Sequence, residues 1–280
     1  MTAATLTPTT APDRPTTAPE AMRVTQRRVI ASEWIKLRSL RSTLFSLLAA
    51  VVCTVGLGIL ISALRANDFN QHGFLPGPAF DPTLVSLRGI YLAQLAIGVL
   101  GVLVITGEYS TGMIRATLSA VPRRLPVLWA KALVFAAAVF TVMGIASLLA
   151  FEGGQAMLSN AGIHVGLGSP GAARAVLGGA LYLTVVGLLG VGLGFLVRNT
   201  AGAIAALFGL LLVLPAVVSA LPASLYNHVY KYLPMVAGTQ VLTTVRDRSL
   251  LTPWAGIGVF GLYAIGAVAA GAVMLRRRDA

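Results

Sequence analysis

The run LFSLLAAVVCTVGLGILISAL, residues 44–64, holds 21 residues and no charge. Wound as an α-helix it measures about 31 Å, the thickness of a bilayer's hydrocarbon core. It lacks the period-two alternation of a membrane strand, so its backbone polar groups must pair within a helix. Five more apolar runs follow, at residues 89–107, 127–151, 175–197, 201–221 and 254–275, the third interrupted only by Lys131 near its start. The bulk numbers agree: 56% of the 280 residues are apolar, 11% are charged and the mean hydropathy is +0.83. A soluble domain carries about 25% charged residues. The expected fold is an all-α integral membrane domain with six transmembrane helices.

Orientation follows from lysine and arginine. With both termini inside, the inner pieces hold fifteen of these residues and the outer pieces six (Arg65, Arg88, Arg174, Lys231, Arg246 and Arg248). The positive-inside rule therefore places both ends in the cytoplasm of a multi-pass protein of the cell membrane. The net charge of +12 sits at the ends of apolar runs, where it meets lipid headgroups, and not in a stripe that would track nucleic acid. The outer piece from Pro222 to Pro253 is patchily apolar and holds Pro234, which predicts short helices packed against other protein.

Residues 1–22, rich in Thr, Pro and Ala, read as a disordered cytoplasmic tail; residues 23–280 form the membrane domain. VTQRRVIASEWIKLRSLRS, residues 24–42, reads as an amphipathic helix. Val29, Ile30, Trp34, Leu37 and Leu40 share one side, and Arg27, Arg28, Lys36 and Arg38 lie mostly off it. Such a helix suits the plane of a membrane interface, or else packs on a partner. The single cysteine, Cys53, excludes a disulfide framework. His72, His164 and His228 fall in outer loops, as surface residues or as a metal site built from three loops. Glu152 marks either the outer edge of the third span or a gate beside it. Gly190 and Gly194 give the GxxxG spacing of closely approaching helices.

Several chemistries are missing. None of the three lysines, Lys36, Lys131 and Lys231, follows a glycine, so the chain has no phosphate-binding loop. It has no HExxH and no GxSxG motif. No acidic residue lies at mid-span, where an ion-coupled pump keeps its relay. The chain is expected to be neither an ATPase nor any other enzyme.

The segment between the second and third runs is the richest: GEYSTGMIRATLSAVPRR, residues 107–124. Glu108 meets water at the end of the second run. Ser110 or Thr111 can cap a short helix, Gly112 allows close approach, and Met113, Ile114 and Leu118 make one side apolar before Pro122 ends it. A short amphipathic helix on an inner loop suits a groove in a cytoplasmic partner, or is a plain basic loop.

EYSTGMIRATLSAVPRR resembles the segment after the second span of ABC-2 type permeases, the membrane subunits of ABC transporters, especially actinobacterial ones. SEWIKLRSLRST and the terminal RRRDA resemble that family's start and end; Met113 stands where many relatives have Thr. The resemblance implies an elbow helix at residues 24–42, with Glu33, Trp34, Lys36, Arg38 and Arg41 on it. It also implies a coupling helix at residues 111–121. Glu108, Tyr109, Thr111, Gly112, Met113, Arg115, Arg123 and Arg124 would then couple the bundle to the motor. It further implies pairing with itself or a second permease, and with a cytoplasmic ABC ATPase that holds the ATP and magnesium; this chain would carry no cofactor. Export of an amphipathic drug, peptide antibiotic or lipid-like substrate, with self-resistance, is the expected activity. A secondary multidrug carrier and a membrane-embedded assembly factor are the alternatives. In related permeases an acidic residue at the place of Glu108 packs against the elbow, so Glu108 is expected to pair with Arg38 or Arg41.

Overall fold

A computed structural model describes residues 25–72, 77, 80–113 and 124–277. The described residues are overwhelmingly helical and contain no strand. Six helices are long and apolar enough to cross a membrane. Helix α1 (Gln26–Ser39) turns at Leu40 into α2 (Arg41–His72), the first of the six. A short α3 (Pro82–Ser86) leads into α4 (Ile90–Ser110), followed by α5 (Arg124–Ser159) and α6 (Ala172–Val197). The next long helix is composite: α7 (Thr200–Phe208), a π-helical turn (Gly209–Val213) and α8 (Leu214–Ser219). Two short helices, α9 (Ala223–Val229) and α10 (Pro234–Thr239), precede α11 (Pro253–Arg277).

The six apolar runs match the six long helices, but the helices overrun the runs. α2 continues to His72 and α5 to Ser159. Polar pairs sustain the extra turns of α2: Arg65 with Asp68, Gln71 with Asn67, and Asp68 with His72. His72 therefore lies on a helix and not in a loop, and His228 lies on α9. All three histidines are exposed, and no group of metal-ligating side chains occurs among the described residues. Glu152 is an exposed residue inside α5, which continues past it to Ser159.

The most buried of the six is α6, which packs against α4, α5 and α11. Glycine makes this possible. A Cβ at Gly101 would collide with the carbonyl of Gly187, and one at Gly190 with the carbonyl of Gly98. The GxxxG pair Gly190 and Gly194 thus receives α4 at backbone contact. Gly192 receives Ala267 of α11 in the same way. The π turn lies just upstream of Pro215. Proline lacks an N–H and clashes with the carbonyl four residues back, and a π turn absorbs both defects.

At the end of the bundle away from α1, the expected short helices occur, with α10 buried against α6 and α11. Asp81 fastens them. Its carboxylate accepts from the backbone N–H groups of Leu84 (3.0 Å), Thr244 (2.5 Å) and Val245 (3.2 Å). Arg174 donates to the carbonyls of Val241 and Thr243 beside it.

Candidate functional site

Charge is scarce inside this bundle, so buried charges locate the site. A side chain at membrane depth is retained only where a partner offsets its desolvation. Three buried charges and one half-buried one meet at the α1 end: Glu33 and Lys36 from α1, Glu108 from the last turn of α4 and Lys131 from the head of α5. Glu33 and Lys131 are each 3% exposed and Glu108 is 8% exposed. Lys36 is half-buried.

The four form a closed ring of alternating charge. Glu33 holds Lys36 through Oε1 at 2.9 Å and Lys131 through Oε2 at 2.5 Å. Glu108 Oε1 accepts from both lysines, at 3.2 Å from Lys36 and 2.8 Å from Lys131. Two carboxylates and two ammonium groups sum to zero, which is what allows burial. Burial pulls the Lys36 ammonium toward neutrality, but its bonds to Glu33 and Glu108 outweigh that and hold its pKa above the ordinary 10.5. Glu108 Oε2 is buried and has no hydrogen-bond partner among the described residues. A cavity of about 20 Å³, bordered by all four side chains, is large enough for one water molecule.

Local sequence explains the arrangement. Within α1, Glu33 and Lys36 are three residues apart and so share a face. Val29 seats that face on Val127 and Ala130 of α5, with Ile30 beside them, and Gln26 donates to the carbonyl of Pro126. α1 therefore docks mainly on α5. Lys131 follows one turn later on the same side of α5 as Val127. The Glu108 pairing expected with Arg38 or Arg41 does not occur. Both arginines are exposed, and the cations that hold Glu108 are Lys36 and Lys131. Trp34 does not share the buried side of α1 with Val29; it is exposed, as are Ile35 and Leu40.

A second set of contacts surrounds the residue after Glu108. The guanidinium of Arg198 lies 5.2 Å from the centre of the Tyr109 ring and donates to the carbonyl of Met274 on α11. Arg198 ends α6 in the left-handed conformation, at φ 57°. Beside it, Thr200 donates to Thr106 at 2.9 Å.

The N–H groups that Ser110 or Thr111 was expected to cap lie outside the described residues. Both hydroxyls donate backward to the carbonyl of Gly107, at the end of α4. Gly112 has a positive φ of 72°, and a Cβ there would meet nothing within 4 Å among the described residues. Met113 is exposed. Arg115 and Arg123 lie outside the described residues, as do the side chain of Arg124, most of the expected coupling helix and the tail 1–22.

Sequence reasoning missed Glu33 and Lys131 as members of the ring. Lys131 carried a usable signal, since a lysine inside an apolar run demands a buried anion. Glu33 carried none, because a helical wheel counts a glutamate as outward. Among known proteins, no family model matches the chain and no curated protein matches it.

Proposed function

We propose that this chain is the membrane-spanning permease subunit of an ATP-driven exporter of the ABC-2 type, with ATP hydrolysed on a separate cytoplasmic subunit. The observation that carries the reading is that two members of the charge ring flank residues 111–123 in the sequence. Glu108 stands just before that segment and Lys131 just after it, and both bind α1. The sequence EYSTGMIRATLSAVPRR, which resembles the inner loop of these permeases, fills the interval. A partner pressing on it would displace the end of α4, the head of α5 and α1 as one body.

In this reading the α1 end is cytoplasmic, with both termini there, as the fifteen-to-six charge asymmetry favours. α1 is the elbow helix and residues 111–121 the coupling helix. Two permease halves, identical or similar, alternate access between them. The chain holds no cofactor of its own; ATP and magnesium belong to the partner ATPase. Apolar, glycine and hydroxyl side chains dominate the six long helices, which favours an amphipathic drug, peptide antibiotic or lipid-like cargo.

The test is reconstitution. The tagged chain should bring down a soluble ATPase from its native host and show no ATPase activity alone. Vesicles holding the pair should export hydrophobic cations or peptides on ATP, and an uncoupler should leave that transport intact. Transport that collapses with the proton gradient while ATP is held constant would establish a secondary carrier instead.

A further inference from the structure

α1 and the head of α2 leave a cleft against α5 that the charge ring does not use. Its volume is about 350 Å³, and Trp34, Arg38, Leu44, Leu47, Ala137 and Thr141 line it. A second cleft of similar size opens beside it, formed by Trp34, Ile35, Arg38 and Ser39. Trp34 and Arg38 belong to both. The first cleft is almost wholly apolar beyond its mouth. The second is shallow and carries the cation and a hydroxyl.

Two features identify an occupant. Arg38 is exposed, and no carboxylate pairs with it among the described residues. The cleft beside it is lined by Leu37, Leu44, Leu47, Ala138 and Val142. On α5 the lining runs from Ala137 to Val142, about 8 Å of helix rise, room for the upper part of one acyl chain. Leu44, Phe45 and Leu48 continue an exposed apolar surface beside the opening. A cation at the rim, an indole beside it and an apolar slot that continues into an exposed apolar surface match a phospholipid with an anionic headgroup.

We propose that this cleft is a binding site for an anionic phospholipid of the leaflet that α1 faces. One acyl chain lies between α2 and α5, and the phosphate sits against Arg38. The inference rests on the bundle crossing a bilayer and is independent of what it transports. The lipid fills the space between α1 and α5 on the side away from the ring, so it holds α1 in the position where Glu33 reaches Lys131.

Tryptophan quenching by brominated lipid reads this directly. Trp34 is kept alone by Trp129→Phe and Trp254→Phe; a control keeps Trp254 alone, exposed at the start of α11. Each protein is reconstituted in mixtures of phosphatidylglycerol and phosphatidylcholine with one of the two brominated. Trp34 should prefer phosphatidylglycerol about fivefold, the effect of one basic residue at a lipid surface, and Trp254 should show no preference. Arg38→Ala should bring the Trp34 preference to near parity. Ala137→Phe, which fills the slot from an exposed position, should lower Trp34 quenching by either lipid. Equal quenching by both lipids at Trp34, or a preference that survives Arg38→Ala, overturns the proposal. So does efficient disulfide formation between copies carrying Ala137→Cys and Cys53→Ser, which would assign the cleft to a second chain. Absence of quenching at Trp254 as well would overturn the membrane placement itself.

Discussion

Glu108 and Tyr109 are adjacent in sequence and hold different partners. The Glu108 carboxylate binds Lys36 and Lys131, while the Tyr109 ring lies beneath the guanidinium of Arg198. One turn of α4 thereby joins α1 and α5 through charge, and α6 and α11 through Arg198. The end of α4 is thus tied to four other helices through one adjacent residue pair.

Lys131→Met leaves Glu33 and Glu108 with one lysine between them in a buried site. Loss of a single partner from a buried ion pair costs about 3–5 kcal/mol. The melting temperature in mild detergent should fall sharply. Adding Glu33→Gln restores charge balance and should recover part of the loss, whereas Lys131→Arg alone should do less harm than Lys131→Met. A full-length Lys131→Met protein that melts like the parent would remove the ring's structural role.

Arg38→Glu and Arg41→Glu separate the ring from the surface. Both positions are exposed and outside it, so each should change stability in detergent by less than about 0.5 kcal/mol. Glu108→Lys sets three cations against one carboxylate and should approach the Lys131→Met loss. If the chain is the permease proposed above, Glu108→Lys should uncouple a partner's ATP hydrolysis from transport in reconstituted vesicles, and Arg38→Glu should not repair it.

Lys36 gives the ring a pH limit. Its pKa is raised above 10.5 in the folded chain, so the folded state binds its proton more tightly than the unfolded one. The stabilisation is complete below pH 10.5 and is lost as the pH rises through the folded value. Alkaline melting curves should drop more steeply for the parent than for Lys36→Met, with the two running parallel from pH 6 to 9.

The glycine crossing of α4 on α6 predicts a sharp positional contrast. Gly101→Ala forces a Cβ into the carbonyl of Gly187, and overpacking of this kind costs about 1–3 kcal/mol. Gly258→Ala meets nothing within 4 Å and should be neutral or slightly stabilising. Comparing the two melting temperatures checks that backbone contact, and not glycine content, holds α4 to α6.

Sidedness is tested by single cysteines at His72, His164 and Lys231 in a Cys53→Ser background. All three residues belong to the end away from α1. Each should react in intact cells with an impermeant thiol reagent, while a cysteine at Arg27 should react only after lysis.

The six long helices were legible because about 20 apolar residues in a row have few other stable states. Their ends were less so. α2 continues past Leu64 on polar side chains whose value lies in i,i+3 and i,i+4 pairing, which a hydropathy run does not register. The site was half legible. Glu108 stood out as a carboxylate at the rim of an apolar run, and its attachment to α1 was expected. The choice of Lys36 and Lys131 over Arg38 and Arg41 depends on how α1 rotates about its axis. That rotation is set by Val29 seating on Val127 and Ala130, contacts about 100 residues apart that no local pattern announces.

The charge ring also constrains how the molecule is made. Synthesis proceeds from the N-terminus at about 5–20 residues per second, so Glu33, Lys36 and Glu108 all emerge before Lys131. Until the fourth member arrives, two carboxylates share one ammonium group and the end of α4 carries an uncompensated anion. Burying that end costs more before the head of α5 is in place than after it. The last ammonium group of the ring thus arrives with the third long helix, and only then are the buried charges balanced.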